Sequence, residues 1–260
     1  MPFVDPKLRD YENKYENFRF ERDENGILVI TVHTDGRSVV WTQSVDEQIA
    51  YAMNDVACDR ENACVILTGA GDAWCTELDG NSFDIDTPQK WDNILFEGQR
   101  LQKNTLGIEV PVIAAVNGPA MFHAEIPAMS DIVLAADHAY FQDAVHFPSG
   151  IVPGDGSHVV WTHILGPNRG RAFLLTGHQL DAETAKDWGL VHEVVPRDRL
   201  MERAFEFARD IAAKPYLTRK YARAVLTQQF RKLMSDNVGY GLALEGLGCL
   251  ASFSLQEQQP

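Results

Sequence analysis

The sequence predicts an α/β fold with a mainly parallel sheet. Apolar segments without polar alternation occur at residues 63–68 and 111–116, and such segments are typical of strands buried on both faces of a parallel sheet. Segments of helical periodicity separate them, which indicates repeating βαβ units with right-handed crossovers. The chain has 260 residues, of which 45% are hydrophobic, and this is enough for one large domain with a substantial core.

The first half alternates strands and helices. Residues 18–22 and 27–33 flank the turn signal Glu24-Asn25-Gly26, which predicts a β-hairpin. A helix is predicted at residues 44–59, with Ser44 as N-cap and Glu47 completing a capping box. The elements that follow are a strand at 63–68, a polar loop at 72–86, a helix at 90–106, a strand at 111–116, a short helix at 125–130 and a strand at 132–135.

The second half is predicted to be mostly helical. Its elements are helices at 156–165, 167–176 and 182–188, a short strand at 193–195, and helices at 200–213, 217–233 and 237–253. We therefore expect a core domain over residues 1–195, followed by a helical region over residues 196–260 that serves in trimerisation or as a lid.

Composition excludes several classes of partner. The net charge of −14 argues against nucleic acid and against anionic membranes, since both attract clusters of Lys and Arg. We find no apolar segment long enough to span a bilayer and no secretory signal at the N-terminus. The four cysteines form no C-x-x-C pair, so we expect free thiols in the reducing cytoplasm.

The stretch of residues 141–156, FQDAVHFPSGIVPGDG, is where we expect the chemistry. Beyond Asp143 it contains His146 and Asp155, separated by apolar and turn-forming residues. A histidine oriented by a carboxylate is a common general base near neutral pH, and loops on a rigid scaffold often carry such groups. The same residues also fit a loop histidine and a turn-forming aspartate.

Residues 110–141 resemble the crotonase, or enoyl-CoA hydratase/isomerase, superfamily. The segments that carry the resemblance are PVIAAVNG at 111–118, SDI at 130–132 and AYF at 139–141, with VILTG at 65–69, GLV at 189–191 and EVV at 193–195. The resemblance covers nearly the whole chain. It implies a crotonase-like ββα spiral core with a C-terminal helical region for trimerisation, and a homo-oligomer, either a trimer or a dimer of trimers.

Departures from the crotonase pattern separate this chain from thioester enzymes. Glu77 stands where the first oxyanion segment of the family has glycine, and residues 121–124 (MFHA) replace a run of glycines. Glycine allows a thioester to approach the backbone closely, so these replacements disfavour thioester binding. One catalytic glutamate of the hydratases corresponds to His146, whereas the other is retained as Glu125.

These departures resemble the β-diketone hydrolases of the oxocamphor hydrolase type, which cleave a carbon–carbon bond without coenzyme A. The segments VVWTQS, FHAEIPAMSD, HFPSGIVPGDGSHVVW and LALEGL carry this match, and they supply five catalytic candidates: Trp41, His123, His146, Asp155 and Glu245. The resemblance implies a retro-Claisen reaction that yields a keto acid and needs neither a cofactor nor a metal.

The residue types suggest a role for each candidate. His146 acts as general base on water, and Asp155 holds its imidazole in the right tautomer. His123 and the indole N–H of Trp41 are candidate donors to substrate oxygens. Glu245 positions water or relays a proton, although it also fits a salt bridge to an arginine. Hydrophobic substrate contacts are expected from Leu78, Phe83, Phe122 and Phe147, beside Trp41 and Trp74.

Two other functions fit the same sequence. The first is a CoA-thioester hydratase or hydrolase that uses Glu125, with a CoA site for which Arg219, Lys220 and Arg223 are the obvious cations. The second is a crotonase fold without activity that serves as an assembly module. It would leave His146 without a catalytic role.

Overall fold

The computed structural model describes residues 5–256, with side chains described as far as residue 251. The strands are β1 (Phe18–Arg22), β2 (Ile27–Val32), β3 (Val39–Trp41), β4 (Cys64–Gly69), β5 (Cys75–Leu78), β6 (Val112–Val116), β7 (Ile132–Ala136), β8 (Tyr140–Phe141), β9 (Leu180–Asp181) and β10 (Glu193–Val195). The helices are α1 (Leu8–Tyr11), α2 (Gln43–Cys58), α3 (Pro88–Gly107), α4 (Glu125–Ala128), α5 (Ser157–Ile164), α6 (Pro167–Thr176), α7 (Ala182–Asp187), α8 (Leu200–Ala212) and α9 (Tyr216–Gln256).

The central sheet has the strand order β1-β2-β4-β6-β7-β10. Only its edge pair, β1 with β2, is antiparallel, and the other four pairings are parallel. Every residue of β4 and β6 is buried, as expected for strands covered on both faces. The predicted α/β class, the hairpin at residues 18–33 and the buried strands are therefore confirmed.

Two small sheets complete the side of the molecule that carries the candidate site. Strand β3 pairs in parallel with β5, and β8 pairs antiparallel with β9. Ala120 bridges β5 and β8 through isolated pairs with Cys75 and Phe141. The polar loop predicted at 72–86 contains the strand β5, whose pairing with β3 is a long-range contact that local composition does not reveal.

Two helix predictions also needed correction. Helix α2 is capped by Thr42, whose side chain accepts a hydrogen bond from the N–H of Val45, and Ser44 already lies within the helix. The two helices predicted at 217–233 and 237–253 form the single helix α9. The intervening Met-Ser-Asp contains neither proline nor glycine, so nothing in these residues stops the helix.

The C-terminal helices pack onto the rest of the fold in two ways. Helix α8 packs across β4, β6 and β7, and α9 packs against α3 and α5. The division of the chain at residue 195 stays a prediction, although the last strand of the central sheet ends at that residue. Among residues 5–256, none of the helices has the length and apolar character needed to cross a bilayer.

Candidate active site

A cavity of about 290 Å³ lies between α2, α3, α9 and the loop that follows β8. Most of its wall is apolar, and its polar groups are two histidines, three carboxyl groups and one amide. The lining residues are Asp46, Leu78, Gly80, Phe83, Ile85, Trp91, Ile94, Gly98, Leu101, Gln102, His123, Val145, His146, Ile151, Asp155, Leu242, Glu245 and Cys249. An apolar wall with a few convergent polar groups is the usual form of a small-molecule site.

His146 is fixed by the carboxylate of Asp143. The imidazole Nδ1 lies 2.8 Å and 3.0 Å from the two carboxylate oxygens of Asp143. The backbone N–H of His146 also donates to Oδ1 of Asp143, at 3.2 Å. Both side chains are buried. The ring orientation is therefore set from the Nδ1 side, and Nε2 is the nitrogen that remains for the cavity.

Two further carboxyl groups face Nε2 of His146. Asp155 Oδ2 lies 3.5 Å from Nε2, and Glu245 Oε1 lies 3.9 Å from it. The prediction that Asp155 orients the imidazole through the usual triad contact needs correction, because Asp143 occupies that position. Asp155 instead shares the cavity side of the ring, and its other oxygen accepts the backbone N–H of Ser157 at 3.0 Å.

The electrostatics of this pair follow from burial and close opposite charge. Burial disfavours the imidazolium, but the carboxylates of Asp155 and Asp143 raise the pKa of His146 well above its usual 6.5. In return, although burial opposes its ionisation, His146 holds the pKa of Asp155 well below its usual range. At neutral pH the pair is an imidazolium beside a carboxylate, and the neutral imidazole becomes populated as pH rises.

His123 lies in a turn with a left-handed backbone, at φ +49°. Such a conformation is uncommon for a residue other than glycine and costs on the order of 1–3 kcal/mol. Its Nδ1 lies 3.0 Å from Oε1 of Glu125, and its ring stacks on Trp41 with centroids 4.0 Å apart. Burial would lower the pKa of His123, but Glu125 outweighs it and raises that pKa to about 9. His123 is thus a cation in the cavity wall with Nε2 available to a ligand.

Glu245 reaches the cavity because α9 approaches the loop of residues 150–156 through glycine. A Cβ atom at Gly154 or Gly241 would overlap the backbone carbonyl oxygen of the other residue. Oε2 of Glu245 is buried and has no hydrogen-bond partner, and the neighbouring charge is His146 rather than an arginine. Burial and the nearby Asp155 raise the pKa of Glu245 to about 8, so it carries a proton at neutral pH.

This packing predicts the effect of Gly241→Ala. The added methyl group has no space beside the Gly154 carbonyl and the His158 ring, and overpacking of this kind destabilises by about 1–3 kcal/mol. Because Glu245 lies one turn further along α9, we also expect a loss of activity, since a shift of about 1 Å costs roughly 10²-fold in rate. Thermal unfolding and steady-state kinetics measure the two effects.

Gly239→Ala is the matched control on the same helix. A Cβ atom there meets only the side chain of Gln99 at 3.7 Å, an ordinary contact. We expect this variant to keep the wild-type melting temperature or exceed it, because alanine has the higher helix propensity. Equal behaviour of the two variants would contradict the proposed role of the glycine contact in placing Glu245.

The predicted hydrophobic contacts divide into two groups. Leu78 and Phe83 line the cavity. Phe122 instead packs against the main core, and Phe147 is 51% exposed; neither lines this cavity, and their contact with substrate stays a prediction. Phe147 begins a 3₁₀ turn directly after His146, and successive side chains of such a turn point in different directions.

The two tryptophans support the site from behind its wall. Trp41 and Trp74 are fully buried, and neither lines the cavity. The indole N–H of Trp41 donates to Oδ1 of Asp46 at 3.2 Å, so it is not directed at a substrate oxygen. Trp74 Nε1 donates to the carbonyl of His123 at 3.2 Å. The predicted role of Trp41 as a donor to substrate oxygens was therefore wrong, because its indole N–H donates to Asp46.

Sequence reasoning did not assign roles to Asp143 and Asp46. Asp143 stands three residues before His146, a spacing that suits a local carboxylate–imidazole contact. Asp46 lies in the first turn of α2, where an acidic residue reads as helix stabilisation. The fold places it in the cavity lining, where it accepts the indole N–H of Trp41.

The same side chains include two groups with the spacing of metal ligands. Two groups in the described residues bring three ligand atoms within 4.8 Å of one another: His123 with Glu125 and Asp155, and His146 with Asp155 and Glu245. Pairing of the imidazoles with the carboxylates accounts for this spacing without an ion. The arrangement is that of proton-sharing groups, which suits acid–base chemistry.

The cations proposed for a CoA site have other partners. Arg223 is 2% exposed and bonds to Asp131 at 2.6 Å, and Lys220 pairs with Glu109 at 2.5 Å. Arg219 donates to the backbone carbonyl of Ala212 at 2.7 Å. Each of them has a partner within the chain, and the Lys220–Glu109 pair lies at the surface, so the three cations do not form a dedicated CoA-phosphate site.

Comparison with known proteins agrees with the fold. The profile of the enoyl-CoA hydratase/isomerase family matches residues 22–242. The 1,2-epoxyphenylacetyl-CoA isomerase of Escherichia coli is 30% identical over 197 residues, which cover 74% of this chain and 75% of that protein. An enoyl-CoA hydratase/isomerase from Mycobacterium paratuberculosis is similar in fold, with a TM-score of 0.83 at 23% identity over 92% of this chain and 95% of that one.

A β-diketone hydrolase from the cyanobacterium Anabaena is similar in both sequence and structure. It is 47% identical with a TM-score of 0.92, and the match covers 93% of this chain and 97% of that chain. That protein was solved bound to (S)-3-oxocyclohexyl acetic acid. The present chain is a homologue of this hydrolase over almost its whole length.

Proposed function

We propose that this chain, which belongs to the enoyl-CoA hydratase/isomerase family, hydrolyses a carbon–carbon bond of a β-diketone by a retro-Claisen reaction. The membership confirms the crotonase resemblance of the sequence. The homologous β-diketone hydrolase, at 47% identity, supports the reaction class. The observation that carries the proposal is His146, whose Nε2 lies 3.5 Å from Asp155 in an apolar cavity.

The first step is attack by water on one carbonyl. We infer that water binds beside Nε2 of His146 and the Asp155 carboxylate, and that the neutral imidazole takes its proton. General-base catalysis of this kind contributes about 10²–10⁴-fold. Asp143 holds the ring, and Asp155 stabilises the imidazolium as it forms. A carboxylate on each side of the ring therefore stabilises the positive charge that proton transfer produces.

The tetrahedral oxyanion needs a donor, and His123 is the cation available in the cavity wall. Its Nδ1 is occupied by Glu125, so Nε2–H is the group that donates to the oxyanion. Stacking on Trp41 and the left-handed backbone fix the ring before substrate binds. A donor that is already oriented needs no reorganisation during the reaction, which is the basis of oxyanion stabilisation.

Collapse of the intermediate breaks the carbon–carbon bond and expels an enolate. The carboxyl fragment keeps the oxygen from water, and the enolate carbon takes a proton to give the ketone. Glu245 is suited to supply this proton because its buried carboxyl group is protonated at neutral pH and adjoins His146 at 3.9 Å. For a cyclic diketone both fragments remain joined, and the product is one keto acid.

The cavity limits the class of substrate. Its volume of about 290 Å³ and its apolar wall suit a compact, hydrophobic diketone, either alicyclic or aryl-alkyl. The carboxyl groups around His146 disfavour an anionic substrate. The same groups favour release of the keto acid, whose carboxylate forms only on hydrolysis.

The thioester alternative has less support. Glu125 does not line the cavity, and its carboxylate is engaged with His123 at 3.0 Å. The CoA-binding cations it would need are engaged elsewhere. The inactive-module alternative does not account for two buried imidazole–carboxylate pairs next to an apolar cavity.

A substrate panel tests the proposed function. The loss of diketone ultraviolet absorbance is followed with a bicyclic and a linear β-diketone, in the absence of added metal and CoA, and an enoyl-CoA and an acyl-CoA are supplied in parallel. We expect turnover of at least one diketone and of neither thioester. Consumption of a thioester without cleavage of any diketone would favour the Glu125 alternative.

The pH dependence of kcat/KM follows from the raised pKa of His146. The reactive form is the neutral imidazole, so kcat/KM rises with pH, with a midpoint above 6.5. Asp143→Asn keeps a hydrogen-bond acceptor at Nδ1 but removes a negative charge that favours the imidazolium. We expect this variant to move the midpoint to lower pH by about 1 unit.

Asp137→Asn is the matched control for that measurement. Asp137 also adjoins a histidine, His138 at 3.4 Å, but both side chains are exposed and neither lines the cavity. Its pH profile should coincide with that of the wild type. An unchanged midpoint in Asp143→Asn would contradict the assignment of the rising limb to His146.

Oligomerisation and cellular location also remain proposals. Helix α9 exposes several large apolar side chains, including Val225, Leu226 and Leu247. Contact between subunits would remove these side chains from water, which supports the trimer, or dimer of trimers, implied by the family. Light scattering distinguishes these assemblies from a monomer. The four cysteines are free thiols, which supports a reducing cytoplasmic location.

A further inference from the structure

Asp46 is a cavity-lining carboxyl group that the mechanism above does not use. It lies in the first turn of α2 and is 7% exposed. Its Oδ1 accepts the indole N–H of Trp41 at 3.2 Å, and Trp41 stacks on His123 with centroids 4.0 Å apart. Asp46 is therefore held next to the oxyanion donor, with its second oxygen left for a ligand in the cavity.

Charge balance determines the state of this carboxyl group. The site brings together two imidazoles and the carboxyl groups of Asp46, Glu125, Asp143, Asp155 and Glu245. Glu125 pairs with His123, whereas Asp143 and Asp155 flank His146. No lysine or arginine is among the described residues of the lining. Glu245 also lies 3.9 Å from Nε2 of His146, so among the described residues Asp46 is the one of these five acids that forms no ion pair with an imidazole. Like charges gathered in one site do not all ionise.

The surroundings of Asp46 act in the same direction. Burial is the largest influence on Asp46 and raises its pKa; His123 and then the Trp41 indole oppose it, and the Asp155 carboxylate adds a smaller effect in the direction of burial. A carboxylic acid that keeps its proton in an apolar site is a hydrogen-bond donor, and an aspartic acid in this state can stabilise an enolate oxygen.

We propose that Asp46 is a catalytic residue that, as a neutral carboxylic acid, donates a hydrogen bond to the second carbonyl oxygen of the β-diketone. That oxygen becomes the enolate oxygen when the carbon–carbon bond breaks. His123 then donates to the oxygen of the carbonyl that water attacks. Asp46 donates to the oxygen of the other carbonyl, which belongs to the enolate leaving group. The inference rests on the proposed diketone hydrolysis.

The test compares Asp46→Asn with Asp46→Ala, using a bicyclic β-diketone that the wild type cleaves. Asparagine keeps an acceptor for Trp41 and a donor for the substrate, whereas alanine removes both. We expect Asp46→Asn to stay near the wild-type kcat/KM and Asp46→Ala to lose about 10²-fold. The loss should fall mainly on kcat, because the charge on the enolate oxygen develops only in the transition state.

Two controls separate this role from structural support. Thermal unfolding and near-ultraviolet circular dichroism report whether Trp41 stays packed, and Asp46→Leu replaces the alanine variant if that variant does not fold. Trp41→Phe, combined with Asp46→Ala, removes the unpaired indole N–H. If the double variant regains full activity, the loss came from Trp41, and the proposal is overturned.

The remaining outcomes are equally decisive. Equal losses in Asp46→Asn and Asp46→Ala would show that the carboxylate charge or proton transfer is needed, which excludes a hydrogen-bonding acid. Wild-type activity in both variants would show that Asp46 does not touch the substrate. In either case the wild type still cleaves the diketone. Failure of the proposed function itself appears as a wild type that cleaves no diketone at all, and the role of Asp46 then falls with it.

Discussion

Replacing His146 with alanine is expected to lower kcat/KM for a β-diketone by about 10²–10⁴-fold. The substitution removes the group that accepts the proton of water and leaves Asp143 and Asp155 without the cation between them. The remaining donors still bind the substrate carbonyls, so KM should change much less than kcat. Steady-state kinetics followed by diketone absorbance measure the effect.

Added imidazole and a matched variant sharpen this prediction. The alanine variant leaves a space next to a cavity of about 290 Å³, so free imidazole should restore part of the rate with a dependence on pH. His138→Ala removes an exposed histidine that also adjoins an aspartate, and it should keep full activity. A His146→Ala protein with the kcat/KM of the wild type would rule out His146 as the base.

The second large effect is expected for His123→Asn. Asparagine tolerates the left-handed backbone that His123 adopts, with φ at +49°, so the turn should persist. The shorter, uncharged side chain no longer places a cation at the oxyanion. Loss of one oxyanion donor lowers kcat by about 10²–10³-fold, and we expect a decrease of this size with little change in KM.

His138→Asn controls for the chemical change at an exposed position. It should match the wild type in rate and in melting temperature. Circular dichroism of His123→Asn establishes whether the turn and the stacked Trp41 remain in place. If the variant is folded and its kcat is unchanged, another group stabilises the oxyanion and the role assigned to His123 is incorrect.

Much of the fold is readable from the sequence because its signals are local. The uninterrupted apolar segment of β4 specifies a strand buried on both faces, and the turn at Gly26 specifies the hairpin. Strand β5 escaped prediction because it is polar in part and exists through its pairing with β3. The two helices predicted at 217–233 and 237–253 are one helix, α9, because no proline or glycine separates them.

The site was predicted in its residues more fully than in its contacts. His123, His146, Asp155 and Glu245 do converge on one cavity. The predicted orienting carboxylate, Asp155, was wrong, because Asp143 contacts Nδ1 of His146. Asp143 is only three residues from His146 in the chain, whereas Asp155 is nine residues away. Asp46, at the start of α2, accepts a hydrogen bond from Trp41 at the end of β3, and only the stacking of Trp41 on His123 reveals their place beside the site.

Hydrolysis in water labelled with oxygen-18 tests the central claim most directly. The wild type is incubated with a bicyclic β-diketone in labelled water, without CoA, and the keto acid is analysed by mass spectrometry after brief turnover. We predict one oxygen-18 atom in the new carboxyl group and at least about 10²-fold less keto acid from His146→Ala in the same time. An intact diketone in the presence of the folded wild type would contradict carbon–carbon hydrolysis, and a carboxyl group without label would contradict attack by water.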